Sequence, residues 1–161
     1  MEVFNFHQLV TAASVIVLLL FFGKGQCDSI CPDGVTNITA SSGELVYPQS
    51  GTYGKNETKC WRIEVPDTYD YIVHRFPWFD VERCSDCKCD YLQIASSYSH
   101  LLQSKKSCGR HSYNFLYRYA WKAPQYTEVS GSTIYLRFVS DGTVHYTGFK
   151  FTFIAESVRG G

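Results

Sequence analysis

Residues 76–94 hold three cysteines and four acidic residues, which is the densest group of chemically useful side chains in the chain. Glu82 and Asp90 lie on either side of the cysteines, and a disulfide or a pair of strands could bring their carboxylates together. Oxygen donors held by a cross-linked scaffold are the ligands that calcium prefers. The alternative is that both are solvated loop acids, as most acidic residues are.

Short segments of alternating apolar and polar residues predict the elements that position these acids. The clearest are residues 61–65, 71–76, 133–138 and 149–153, and residues 91–94 begin another. Such alternation predicts strands with one face toward a core. Residues 140–143 predict a turn, and helical character is confined to residues 9–22. The fold class expected is therefore all-β, an antiparallel β-sandwich stapled by disulfides.

The first 25 residues are expected to be a signal peptide. Their apolar run, residues 10–22, is shorter than the roughly 20 residues that span a bilayer, and small residues follow it at Gly23 and Gly25. The mature chain would be residues 26–161, which makes 161 − 25 = 136 residues, enough for one domain. We therefore expect a secreted, extracellular protein with no membrane span after cleavage. An uncleaved anchor is the alternative.

All seven cysteines follow this segment, and in a secreted chain they predict a disulfide framework. Because the number is odd, at least one is free, capped or paired with another molecule, so a disulfide-linked dimer is one alternative. Cys84, Cys87 and Cys89 could also be thiolate ligands of a metal or a redox motif. No companion ligand cluster exists in the sequence, and the expected compartment is oxidising, which favours disulfides.

Two sequons predict N-glycosylation in a secreted chain, at Asn37 and Asn56. Both asparagines lie in Gly/Ser/Thr-rich regions that are typical of loops. They flank residues 43–53, so glycans would shield that side of the domain.

The balance of fifteen acidic and fifteen basic residues argues against nucleic acid or an anionic membrane surface as a partner, because both select a basic excess. No G-x-S-x-G or H-E-x-x-H motif is present. Of the histidines that follow the signal segment, His74 lies in a predicted strand and is expected to pack in the core. We expect no enzymatic activity.

Several motifs in order across residues 31–154 resemble those of the CUB domain family. The matching pieces are Ser41-Ser42-Gly43-Glu44, Tyr47-Pro48, Cys60-Trp61, Ile72 to Glu82, Cys87 to Ile94, Cys108-Gly109, Phe138 to Thr143 and Gly148-Phe149. The resemblance covers nearly all of the expected mature chain and implies a jelly-roll-like β-sandwich with two disulfides.

By position, the resemblance implies the disulfides Cys31–Cys60 and Cys87–Cys108. Each closes a loop of twenty to thirty residues, worth about 3 kcal/mol in the chain-entropy model. Cys27, Cys84 and Cys89 depart from the family pattern. A third bridge could join Cys27 to Cys84 or Cys89, or Cys84 to Cys89, and Cys27 could also replace Cys31.

The resemblance also implies a calcium site at one end of the sandwich. Its ligands would be Tyr53, Glu82, Asp90, Asp141 and Thr143. Three converging carboxylates repel one another unless a cation lies among them, which agrees with this assignment. A bridge at Cys89 could tilt Asp90 out of the ligand position.

The function implied is extracellular recognition, in which the calcium end binds a basic residue of a protein partner. An alternative is carbohydrate binding, as in the spermadhesins, through the aromatic segment 111–122. Its candidate surface residues are Tyr113, Tyr117, Tyr119 and Trp121. A third alternative is a disulfide-linked structural or matrix protein.

Overall fold

The computed structural model describes residues 30–112 and 127–158, and within these ranges the chain forms nine strands. The strands are β1 (Val35–Thr39), β2 (Ser42–Tyr47), β3 (Thr58–Glu64), β4 (Tyr71–Val81), β5 (Tyr91–Ala95), β6 (Gly109–Ser112), β7 (Thr127–Ser130), β8 (Thr133–Val139) and β9 (Gly148–Glu156). Two short 3-10 helices, Ser85–Cys87 and Tyr98–Gln103, are the other regular elements of the described part.

The strands form two sheets packed face to face. One sheet has the order β1-β3-β8-β5. The other has the order β2-β9-β4-β6, and β7 also pairs with β4. The predicted β-sandwich is confirmed. Among the strand pairs formed by the described residues, only β1 with β3 is parallel, and the others are antiparallel.

The alternating apolar residues form the core between the sheets, as their spacing predicts. Ile134, Leu136 and Phe138 of β8 are fully buried and face Phe149 and Phe151 of β9 in the other sheet. The ring centroids of Phe138 and Phe149 are 6.1 Å apart. Burying side chains of this size stabilises the fold by about 1.5–3 kcal/mol each.

Strand β4 continues well beyond its predicted end at Phe76, up to Val81. Pro77 lies within it, where it has no N–H to donate, and the register with β9 shifts between Arg75 and Trp78. This irregularity lets one strand pair with β7 at its beginning and with β6 at its end. The last residues of β4 thereby deliver Glu82 to one end of the sandwich.

Two sequence expectations, for His74 and Asn37, can be placed on the fold, and Gln93 is a buried polar residue that the sequence did not predict. His74 is 2% exposed and packs in the core, as predicted. Asn37 lies in β1, at the edge of its sheet, so the expectation of a loop there was wrong; its side chain is nevertheless exposed. Gln93 is 1% exposed, because its amide donates to the carbonyl of Ser104 (3.0 Å) beneath the second 3-10 helix.

Candidate functional site

Three loops meet at one end of the sandwich, and sheet order explains why. β8 lies between β3 and β5, and Val139 at its end is in register with both Thr58 and Tyr91. Asp141 follows β8 by two residues, and Asp90 immediately precedes β5. Neighbouring strand ends therefore place both aspartates at the same edge. Tyr53 joins them from the loop before β3, and Glu82 from the other end of the loop that carries Asp90.

A buried hydrogen-bonded pair, Tyr53 and Asp90, links these loops. The Tyr53 hydroxyl donates to Asp90 Oδ2 (2.6 Å) and accepts from the backbone N–H of Glu82 (3.0 Å). Asp90 Oδ1 accepts from the backbone N–H of Asp141 (2.7 Å). The side chains are 2% and 0% exposed, so these bonds are shielded from competing water. Burial is the main cause of a raised pKa of Tyr53, and the bond to Asp90 is the second. Tyr53 therefore keeps its proton.

Asp141 is held by Thr143 at the outer side of the site. Asp141 Oδ1 accepts from both the hydroxyl (2.7 Å) and the backbone N–H (2.8 Å) of Thr143. The bond from the hydroxyl has the larger effect. Together, the two bonds lower the pKa of Asp141 and favour its ionised form.

Glu82 faces the same point with one oxygen unsatisfied. Its Oε2 is buried and has no hydrogen-bond partner among residues 30–112 and 127–158. Burial, and then the charges of Asp90 and Asp141, raise the pKa of Glu82. One carboxylate oxygen of Glu82 and one of Asp141 lie within 4.8 Å of each other. Without a cation, an unpartnered carboxylate beside two others destabilises the protein. The same three groups can bind a hard cation.

A second network lies directly behind Asp141. The Ser140 hydroxyl donates to the carbonyl of Gly54 (2.8 Å) and accepts from the N–H of Glu57 (3.0 Å). The Glu57 carboxylate in turn accepts from the Gly54 N–H (3.1 Å) and from the hydroxyl of Tyr47. These residues fix the loop that carries Tyr53. The sequence reasoning missed them: Ser140 belongs to a motif that it quoted, but Glu57 was seen only as the middle of a sequon.

The structure joins six cysteines in three disulfides. The pairs are Cys31–Cys60, Cys87–Cys108 and Cys84–Cys89. The last is one of the three alternatives left open for a third bridge. Although Cys89 is bridged, Asp90 keeps its bonds to Tyr53 and Asp141. Cys27 lies outside the described residues.

The aromatic candidates Tyr113, Tyr117, Tyr119 and Trp121 also lie outside the described residues. Asn56 is exposed in the loop before β3, next to the acidic site. Within the described ranges, no helix is long and apolar enough to cross a membrane.

A model of the CUB domain matches residues 31–153, which is most of the chain and includes every residue of the acidic site. The chain belongs to the CUB domain family. CUB domains mediate interactions between extracellular proteins and are themselves non-catalytic, although some relatives are proteases that carry CUB as a separate domain.

Curated relatives confirm this membership over much longer proteins. The chain is 31% identical over 138 residues to ovochymase-2 of Mus musculus, covering 84% of this chain and 19% of that protein. It is 29% identical over 138 residues to human Tolloid-like protein 1, covering 83% of this chain and 12% of that protein. It is 33% identical over 106 residues to human neuropilin-1, covering 65% of this chain and 10% of that protein. The chain thus spans less than a fifth of each of these relatives.

Solved structures agree on the fold. The CUB1-EGF-CUB2 domains of rat MASP-1 have a TM-score of 0.62 and 21% identity, covering 78% of this chain and 44% of that one. The MASP-1 CUB2 domain bound to Ca²⁺ has a TM-score of 0.55 and 20% identity, and the match covers 74% of this chain and 97% of that one. The CUB domains of this family are therefore β-sandwiches like this one, and one of them was solved with calcium.

Proposed function

We propose that this chain is a secreted recognition module that binds a basic side chain of an extracellular protein at a calcium-ordered acidic site. The observation that carries the proposal is the Glu82 carboxylate, with its unpartnered buried oxygen and raised pKa, beside the carboxylates of Asp90 and Asp141. Secretion would follow removal of residues 1–25. The three disulfides support an oxidising compartment.

Glu82, Asp90 and Asp141 would hold the ion, with Tyr53 and Thr143 as further oxygen donors. The available donors are carboxylates and hydroxyls, which suit calcium. Bound calcium would cancel the repulsion among the carboxylates and restrain the three loops. Because those loops are then ordered before the partner arrives, less entropy is lost on association.

The residues themselves supply the recognition. The buried hydrogen bond between Tyr53 and Asp90 links two of the loops, and the bonds from Thr143 fix one oxygen of Asp141. Carboxylate lone pairs that remain free can accept the ammonium of a partner lysine, a charge-assisted contact stronger than a neutral hydrogen bond. The CUB domain of MASP-1 solved with Ca²⁺ supports the calcium part of the proposal.

Calcium titration of the full glycosylated chain by calorimetry tests the proposal. We expect a dissociation constant of roughly 10⁻⁶–10⁻³ M. Asp141→Ala should abolish the binding. Asp86→Asn is the matched control, because the Asp86 side chain is 78% exposed and asparagine tolerates its left-handed φ of 55°. Wild-type protein that takes up no calcium in this range would contradict the proposal.

Partner recognition is tested with trilysine, a minimal basic probe. Trilysine should bind in calcium, be released by a chelator, and fail to bind Asp141→Ala. Binding that is equal with and without calcium would contradict the role of the ordered site.

A further inference from the structure

Asn56 lies against the loop that carries Asp141. Its backbone N–H donates to the carbonyl of Asp141 (2.9 Å). Its side-chain amide lies beside Gly142, since a Cβ placed on Gly142 would be 3.6 Å from Asn56 Oδ1 and 3.7 Å from Asn56 Nδ2. The φ of Asn56 is 54°, a left-handed conformation that asparagine adopts more readily than most residues. The amide is thus held at the rim of the acidic site.

Strand order defines the side on which Asn56 lies. Asp141 follows β8, and the two strands beside β8 are β3 and β5. Asn56 precedes β3 by two residues, whereas Asp90 precedes β5 by one. Asn56 and Asp90 therefore flank Asp141 from opposite sides. A bulky group on Asn56 would form a wall on the β3 side and leave the side of the Cys84–Cys89 loop open.

The residues Asn56-Glu57-Thr58 form an N-glycosylation sequon, and Asn56 is exposed. In the transfer, Asn56 Nδ2 loses a proton and forms a bond to C1 of a sugar. The C1–O bond to a polyprenyl-diphosphate carrier breaks, and the diphosphate leaves. The exposed position leaves room for the product in the folded domain.

We propose that a glycan on Asn56 forms one wall of the acidic site and restricts it to partners that present a lysine on a slender segment approaching from the side of the Cys84–Cys89 loop. This inference rests on the proposed function and adds the direction of approach and the shape of the partner. Small basic ligands reach the carboxylates past such a wall, whereas a globular protein surface collides with the glycan.

The test compares two probes on the full chain made in a glycosylating host. Trilysine is the small probe, and cytochrome c, a lysine-rich globular protein, is the large one. Mass spectrometry of the peptide containing Asn56 should show the glycan. Trimming the glycan to its first sugar with an endoglycosidase, Asn56→Gln or Thr58→Ala should each raise the calcium-dependent affinity for cytochrome c by about tenfold, or about 1.4 kcal/mol. Trilysine affinity should change by less than about twofold.

The control is Asn37→Gln, which removes the sequon in β1. Asn37 is in register with Arg62, four residues along β3 from Thr58, so its glycan lies away from the site. Thr58→Ala keeps Asn56 in place, and therefore guards against a folding defect caused by glutamine at a left-handed position. Terbium luminescence sensitised by the tyrosines should confirm an intact site in each variant.

The outcomes separate the two proposals. An unmodified Asn56, or an unchanged ratio of the two probe affinities after glycan removal while trilysine still binds, overturns the glycan wall alone. If trilysine binds none of the forms in calcium, the proposed recognition function itself fails, and the glycan wall fails with it.

Discussion

Two buried polar groups in opposite halves of the sandwich, Asp90 and His74, differ in their hydrogen bonding. At the acidic end, Asp90 is fully buried and both its oxygens accept hydrogen bonds. In the other half, His74 is 2% exposed, stacks on Phe151 at 5.1 Å, and its Nδ1 has no hydrogen-bond partner in the described part of the chain. Asp90 is buried with hydrogen-bond partners for both oxygens, and His74 is buried as a neutral ring among aromatic rings.

The difference shows how burial can serve either connection or packing. Asp90 links loops that are far apart in sequence, since Tyr53 and Asp141 lie 37 and 51 residues away. Within residues 30–112 and 127–158, His74 Nδ1 has no partner, and the ring packs among Phe76 and Phe151. Burial lowers its pKa to about 4, because the apolar core disfavours the charged ring. The acidic end should therefore be sensitive to the loss of partners, and the His74 region to the gain of a proton.

The largest effect is expected from Asp90→Ala. It leaves the Tyr53 hydroxyl and the Asp141 N–H buried without partners, which should cost about 4 kcal/mol of unfolding free energy. Urea unfolding in calcium-free buffer measures it. The control Asp86→Asn is nearly isosteric, and asparagine tolerates the left-handed φ of 55° at this position, so stability should change by less than about 0.5 kcal/mol. Equal losses in the two variants would show that the network contributes little.

The next effect concerns pH and His74. The unfolded chain binds a proton near pH 6.5, whereas folded His74 binds it only near pH 4, so stability is full above pH 6.5 and falls as pH drops toward 4. The loss attributable to this histidine should reach about 3 kcal/mol. His74→Leu should remove that part of the pH dependence in parallel urea titrations. Identical slopes for the two proteins between pH 6.5 and 4 would count against an uncharged buried ring.

Tyr53→Phe should have a smaller effect than Asp90→Ala, because the ring and its packing on Phe138 remain. Loss of the bonds to Asp90 and Glu82 should cost about 2 kcal/mol and weaken calcium binding. Tyr71→Phe is the matched control, since the Tyr71 hydroxyl bonds Glu156 at an exposed position of the opposite end, and its effect should be far smaller. A double-mutant cycle with Asp90→Asn would show directly whether Tyr53 and Asp90 are coupled.

The smallest effect is expected from Thr143→Val, which removes the hydroxyl bonded to Asp141. The pKa of Asp141 should rise toward its ordinary range, since that bond is the main cause of its lowering. A carbon-detected NMR titration of the calcium-free protein measures the change. Thr147→Val, which removes a bond to Asp80 instead, should leave the pKa of Asp141 where it was.

Much of the candidate site could be assembled before the fold was seen, but only through the family resemblance. Residue types alone placed Glu82 and Asp90 on either side of a cysteine-rich stretch, a pattern that favours solvated loop acids over a calcium site. The resemblance added Tyr53, Asp141 and Thr143. It could not reveal that Glu57 and Ser140 support them, because those contacts depend on two loops meeting in space.

The inward faces of β3, β4, β5, β8 and β9 were determined by the sequence itself, whereas β1, β2, β6 and β7 were not predicted. In β8, Ile134, Leu136 and Phe138 alternate with polar neighbours, and an extended chain must place them on one face, where leaving water stabilises them. This information is local, so it can be read from a few residues. The continuation of β4 through Pro77 and the parallel pairing of β1 with β3 lacked such a local signal.

Only the tertiary structure decided how these strands bring their ends together. Because β8 lies between β3 and β5, Asp141 meets Asp90 on one side and Asn56 on the other. It also decided that Cys84 pairs with Cys89 while Asp90 keeps its partners. The contacts of Asp141 join residues tens of positions apart, and their geometry follows from sheet order and register, which no short stretch of sequence contains.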